Sequence, residues 1–281
     1  MIVVTGATGN VGRSLVAALA EAGEQVTAVS RGVAPVDLPG GVTHVRADLA
    51  EPETLRPAFD GAKALFLHDG GTGGHGLDTR AVLTVARDAG VARVVLLSSQ
   101  AVVTRAESPS HGGAMRAVED AVRGSGLAWT ILRAGGFASN AYAWAESVRA
   151  ERTVAAPFGD VGIPVVDPAD LAEVAAAALR ADEHVGRVYE LNGPAAVTPR
   201  QQAEAIGAAL GEPVRFVELT RAEAGARMSA FMPEPVVATT LAVLGEPNAA
   251  ELRLSPDVEA VLGRPPRTFA AWALRNVGAF R

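Results

Sequence analysis

The sequence predicts an α/β protein built on a doubly wound parallel sheet, with a smaller, mostly helical C-terminal lobe. Three observations carry this. Short apolar, β-branched runs alternate with helix-forming stretches through the first half of the chain, as successive βαβ units require. These runs are almost unbroken in hydrophobicity, which fits strands covered by helices on both faces. Three glycines, Gly6, Gly9 and Gly12, separate the first run from the first helical stretch.

Taken in order, strands are expected at 2–5 (IVVT), 25–30 (QVTAVS), 42–47 (VTHVRA), 64–68 (ALFLH), 93–99 (RVVLLSS) and 128–133 (AWTILR). Residues 12–23, 51–59, 76–89 and 112–124 have helix-forming composition. Past residue 135 the alternation loosens. There, 163–167 (IPVVD) and 187–193 (RVYELNG) read as strands around a helix at 168–181. From 197 the chain reads as mostly helical, with one short strand at 214–218. No repeat or low-complexity linker interrupts it, so we expect a domain of residues 1–192 and a lobe of 193–281 packed directly upon it.

Composition narrows the function. The 281 residues are 49% hydrophobic and 20% charged, a globular balance. A formal charge of -6 argues against nucleic acid as a partner, because phosphate binding draws on a basic excess. The chain has no cysteine, which excludes disulfides, thiolate catalysis and Cys-ligated metals. The opening MIVVTGATG lacks the basic flank of a signal peptide, and no apolar run reaches bilayer length. A cytoplasmic protein acting on small molecules is expected.

The glycines point to a dinucleotide. Gly6 suits a tight turn, Gly9 a close backbone approach to pyrophosphate, and Gly12 close packing of the helix, whose free N-terminal N–H groups attract phosphate. Thr8, Asn10 and Val11 complete this loop. A Rossmann site for NAD expects a carboxylate at the end of the second strand, but Ser30 and Arg31 stand there. A guanidinium pairs with a 2′-phosphate, so NADP(H) is favoured over NAD(H), unless Arg31 is simply a solvated loop residue. Asp48 and Leu49, ending the third strand, are placed at the adenine edge. His68 opens the loop HDGGTGGHG at the same edge of the sheet. Its His68, Asp69 and His75 suggest metal ligands only superficially, since the glycines around them fit a cofactor-covering loop better. No metal is expected.

The ordered set TGATGNVG, RADL, LLSS, WTILRAGGF, VVDPADLAEVAAAAL and LGRPPRTFAAWA resembles the atypical short-chain dehydrogenase/reductase superfamily, specifically its NmrA-like branch, over nearly the whole chain. The resemblance implies NAD(P)(H) bound to a Rossmann domain and a C-terminal lobe shaping the substrate pocket. It also implies a Ser after the fifth strand that orients a substrate oxygen and, in typical reductases, a Tyr proton donor with a Lys four residues later. Ser98 or Ser99 matches the first, and Ser98 would also meet the cofactor. The other two positions fall on His111 and Met115 in HGGAM. Only Tyr142 and Tyr189 are tyrosines, neither precedes a lysine, and the sole lysine is Lys63. The Tyr–Lys pair is absent.

The leading expectation is an NADPH-dependent oxidoreductase transferring hydride to a small apolar carbonyl, quinone-like or aromatic compound. Ser98, Ser99, His111 and Tyr142 are the candidate catalytic groups. Phe137, Tyr142, Trp144, Met228 and Phe231 are the candidate pocket wall. An imidazole with an ordinary pKa near ~6.5 can donate a proton at neutral pH without a helper lysine, which is the case for His111. The alternatives are an NADP(H)-sensing regulator of a partner protein, without turnover, and a non-redox catalyst on the same fold.

Overall fold

The structure is a computed structural model and describes residues 1–32, 38–68 and 77–281. Seven strands form the main sheet: β1 (Ile2–Thr5), β2 (Val26–Ser30), β3 (Val42–Arg46), β4 (Ala64–His68), β5 (Arg93–Ser99), β6 (Ala128–Ala134) and, later in the chain, Val188–Leu191. Their order is the last-named strand, β6, β5, β4, β1, β2, β3, and every pair is parallel. The chain runs outward from β1 to one edge, then returns across β4 to the other. The reversal between β1 and β4 opens a crevice at their carboxyl ends, where such sheets bind ligands.

Helices cover both faces. They are α1 (Asn10–Glu21), α2 (Arg56–Phe59), α3 (Thr79–Asp88), α4 (Ala101–Thr104), α5 (Ala114–Arg123), α6 (Ala145–Glu151) and α7 (Pro168–Arg180). Side chains alternate across a strand, and the core divides accordingly. Val4, Phe66 and Val95 pack with Leu15 of α1 and Leu171 of α7, whereas Val3, Leu65 and Leu96 pack with Phe59 of α2, Val82 of α3 and Val122 of α5.

The smaller lobe departs from the expected division. Two short strands, β7 (Gly136–Phe137) and β8 (Thr153–Pro157), precede β9 (Ile163–Val166); the sheet strand at 188–191 is β10, followed by β11 (Ala196–Val197) and β12 (Arg215–Leu219). β9 lies outside the main sheet, between β7 and β11, and β8 pairs with β12. Pairing therefore crosses residue 192, so the smaller lobe is assembled from two stretches of chain rather than from 193–281 alone. Helices α8 (Pro199–Leu210), α9 (Arg221–Met228), α10 (Glu234–Gly245), α11 (Asp257–Leu262) and α12 (Phe269–Arg275) complete it. The LGRPPRTF segment is tied to α7: Arg264 and Arg267 both pair with fully buried Asp170 and with Glu173. Among the described residues no helix is long and apolar enough to cross a membrane.

Candidate active site

A cavity of about 1170 Å³ runs along the carboxyl edge of the main sheet. It extends from the β1–α1 turn, past the ends of β4, β5 and β6, to the first residues of α5 and α10. Its size exceeds the ~300–1,000 Å³ typical of small-ligand pockets, which leaves room for a dinucleotide beside a second small molecule.

The glycine turn has the form that phosphate binding needs. Gly6 has φ +60°, and a Cβ there would fall 2.2 Å from His68 Nε2, so the imidazole lies directly over the turn. A Cβ on Gly12 would fall 2.1 Å from the Gly6 carbonyl oxygen. Gly12 thus lets helix and loop close on each other, a contact with the loop rather than with the sheet. Gly9 is the N-cap of α1 and brings no side-chain capping bond, so the first-turn N–H groups stay available to an anion. A Cβ on Gly9 would meet only the Gly6 carbonyl, at 3.2 Å. Asn10 and Val11 line the cavity with these glycines, whereas Thr8 is exposed outside it. These residues fit a dinucleotide pyrophosphate. Replacing Gly9 with Val should abolish calorimetric NADPH binding while the thermal midpoint stays near that of the wild type, because the branched side chain occupies cavity space rather than core.

At the ends of β2 and β3, Arg31 is exposed and its carbonyl accepts from Arg46 Nε at 3.0 Å. Two guanidinium-bearing residues therefore share this corner; Arg46 is the one that sequence reading passed over. Ser30 is buried and its Oγ lies 2.8 Å from His44 Nε2, so it is already partnered. Asp48 Oδ1 accepts from the Ala50 amide at 3.0 Å, and Leu49 packs partly into the core below α2. Ser30, Arg31, Asp48 and Leu49 all lie at or just past the carboxyl ends of β2 and β3, outside the cavity's own lining. Of the loop weighed for metal ligands, His68 lines the cavity, while Asp69 and His75 lie outside the described residues.

Ser98 and Ser99 part company. Ser98 Oγ donates to Glu119 Oε1 at 2.7 Å, deep under α5. Glu119 is fully buried and also receives Arg133 Nε and Nη2 at 2.9 and 2.8 Å and Arg123 Nη2 at 3.0 Å. Burial alone would raise its pKa, but bonds from Arg133 and Ser98 hold the carboxyl below its ordinary range. The Ser98 hydrogen is committed to that carboxylate, so Ser98 supports the site rather than donating into it. Ser99 Oγ accepts from the Ala101 amide at 3.1 Å, which leaves its own hydrogen for a ligand in the cavity it lines.

His111 lines the same cavity. It sits in a wide, π-type turn, Pro109–Gly113, a form often found at functional sites. The turn is pinned rather than loose: a Cβ on Gly112 would fall 2.2 Å from the Arg105 carbonyl oxygen and 2.5 Å from that of Ala101. Burial pushes the His111 pKa below its ordinary value.

The expected apolar wall is largely displaced. Phe137 lines the cavity, but its companions there are Met115 from α5 and Pro233, Pro235 and Val236 around the start of α10. Tyr142 instead donates from its hydroxyl to Asn276 Oδ1 at 2.6 Å, meets Trp272 edge-on at 5.1 Å and stacks with Phe280 at 6.2 Å. It borders a separate polar crevice of about 380 Å³, and burial raises its pKa. Tyr142 is therefore neither the proton donor nor part of the main wall. Trp144 packs partly against the smaller lobe's cluster of Val148, Ile206 and Trp272, Met228 packs beside Leu219 and Leu241, and Phe231 is 71% exposed. None of these three lines the cavity.

Comparison with known proteins follows this geometry. Residues 6–182 match the NAD(P)H-binding family. The chain is 36% identical over 282 residues to the (4-alkanoyl-5-oxo-2,5-dihydrofuran-3-yl)methyl phosphate reductase of Streptomyces griseus subsp. griseus, covering 100% of this chain and 99% of that one. It is 32% identical over 286 residues to the NAD(P)H azoreductase of Xenophilus azovorans, again covering 100% and 99%. The NADPH-dependent quinone oxidoreductase of Escherichia coli, solved with NADPH, superposes with a TM-score of 0.78 at 26% identity, over 98% of this chain and 99% of that one. The chain thus belongs to the NAD(P)H-binding family and is an NAD(P)H-dependent oxidoreductase.

Proposed function

We propose that the protein uses NADPH to reduce a small, planar, apolar acceptor, a conjugated carbonyl or quinone-like compound. The observation that carries this reading is the continuity of the cavity: the glycine turn at one end and an apolar wall of Met115, Phe137, Pro233 and Pro235 at the other share one space with Ser99 and His111. Three relatives named for an alkanoylfuranone methyl phosphate, azo compounds and quinones support the flat, conjugated part of this reading; the first acceptor also carries a charged phosphate. The division of labour assigns the glycine turn and the ends of β2 and β3 to cofactor, and the start of α10 to substrate.

When bound, NADPH supplies the hydride. The chain supplies the rest: Ser99 orients the acceptor oxygen with its free hydroxyl hydrogen, His111 in its imidazolium form yields a proton to that oxygen, and the proline-rich wall excludes water. Glu119 and Arg133 hold the end of β5 in place through Ser98. Electron-poor conjugated acceptors take hydride with modest acid help, which suits a site without a Tyr–Lys pair.

The test is steady-state oxidation of NADPH with three acceptor panels: quinones, azo compounds and unsaturated lactones. Turnover with at least one panel is expected; NADPH binding without turnover on any would favour the sensor reading, which Met115 in place of a lysine recommends. The preference for NADPH rests on Arg31. Arg31→Ala should lose about 1.5 to 3 kcal/mol of NADPH binding, the worth of a charged hydrogen bond, with NADH binding unchanged. Equal wild-type affinities by calorimetry would remove that assignment.

A further inference from the structure

Hydrogen bonds join the His111 turn to the smaller lobe. Ser110 Oγ reaches the Pro235 carbonyl oxygen at 3.1 Å, His111 Nδ1 at 3.0 Å and Thr239 Oγ1 at 3.4 Å. Ser108 Oγ lies 3.0 Å from the same Thr239 hydroxyl. Pro235 and Thr239 both belong to α10. A serine hydroxyl has one hydrogen, and a carbonyl oxygen can only accept. The contact with Pro235 therefore uses the Ser110 hydrogen. Ser110 can then meet the imidazole only by accepting from it, which puts a hydrogen on Nδ1 and leaves Nε2 as the other, exchangeable nitrogen.

We propose that Ser110 is a positioning residue: anchored on the Pro235 carbonyl of α10, it holds His111 as the Nδ1–H tautomer and makes Nε2 the nitrogen that exchanges a proton with a ligand in the cavity. This rests on the reading of His111 given above. In the reduction, bound NADPH would supply the hydride, giving up a nicotinamide C–H bond and becoming NADP⁺, while the acceptor's carbonyl electron pair would move to oxygen. The Nε2–H bond of the imidazolium then breaks as the new O–H bond forms. The imidazole is left neutral, with its Nδ1–H still on Ser110. In that neutral state Nε2 is a hydrogen-bond acceptor, so the cavity favours ligands that bring a hydroxyl donor, such as phenols and hydroxylated quinones, over their methyl ethers.

The proposal also gives the smaller lobe a part in the chemistry. The group that sets the histidine's tautomer is a main-chain carbonyl of the helix that forms the substrate wall. The orientation of the proton donor and the placement of that wall are thus tied together.

Nitrogen-15 NMR of histidine-labelled full-length protein bound to NADP⁺, above the His111 pKa, tests this directly. The chain has five histidines, and the difference from His111→Phe assigns the resonances. The expected result is a protonated Nδ1 and an unprotonated Nε2. Ser110→Ala should lose that pattern and lose the preference for hydroxylated over methylated quinone, and Ser110→Thr, which keeps the hydroxyl, should restore both. A wild-type His111 protonated at Nε2, or a tautomer unmoved in Ser110→Ala, would overturn the proposal. If the Nδ1–H form is present but His111→Phe turns over normally, the tautomer stands and only the acid role fails.

Discussion

Replacing His111 with Phe should lower turnover roughly 10²-fold to 10⁴-fold, the usual worth of general acid catalysis, with NADPH affinity little changed. The expectation follows from position. The imidazole lines the cavity shared with the glycine turn, its turn is clamped by close contact of Gly112 with two carbonyl oxygens, and its Nδ1 is held by Ser110. The pH dependence has a definite sign. Burial lowers the His111 pKa beneath the ordinary ~6.5, so the imidazolium is the minor form at neutral pH. The rate should rise as pH falls toward the lowered pKa and level off below it. His111→Phe should lose that limb. A variant with an unaltered rate and pH profile would leave Ser99 and bound water as the proton source.

Glu119→Ala should cost about 3 kcal/mol of stability, at the low end of the range for removing one member of a buried ion pair. The carboxylate is fully buried, while the Arg133 side chain is 14% exposed and Arg123 33%. Its loss strands the Arg133 guanidinium at the carboxyl end of β6 and takes the acceptor from Ser98. The folded-state pKa of Glu119 is depressed, so this contribution is present above the unfolded value of ~4.3 and fades as pH falls through the lower folded value. Urea unfolding at neutral pH and again near pH 3 should therefore show the difference between wild type and variant shrinking in acid. A constant difference would mean that packing, not the charge, carries the effect.

The contrast between the two lobes explains what the sequence made legible. The inner strands of the main sheet are buried on both faces, so hydrophobicity alone marks them: IVVT, ALFLH and RVVLLSS coincide with β1, β4 and β5. The glycine turn was legible because its backbone demands are severe. The smaller lobe offers no such signal. TVAAP became β8 only because FVEL, some sixty residues later, pairs with it. IPVVD reads like a main-sheet strand, yet it lies between β7 and β11.

The site divides in the same way. Tyr142 and Trp144 near the sheet edge, with Met228 and Phe231 from the C-terminal lobe, looked like a substrate wall, but large apolar side chains serve a core equally well: Tyr142 found Trp272 and Phe280, Trp144 and Met228 pack in the lobe, and Phe231 is exposed. The wall came instead from Pro233 and Pro235, in the same MPEP stretch that supplied Met232 to the lobe's core. Ser98 could not be told from Ser99 by sequence, because the difference lies in a partner twenty-one residues away. One signal was available: an arginine inside the apolar run WTILRA demands a buried partner, and Glu119 on the adjacent helix is that partner.

The most direct test of the central claim is a single turnover. Protein saturated with one equivalent of NADPH is mixed rapidly with excess quinone, and reduced nicotinamide and reduced quinone are followed together. The account predicts that the nicotinamide absorbance disappears in one exponential phase, with one reduced quinone formed per protein, and that the phase slows in His111→Phe. Persistent NADPH absorbance on a protein that binds both ligands would contradict it and make this cleft a nucleotide sensor.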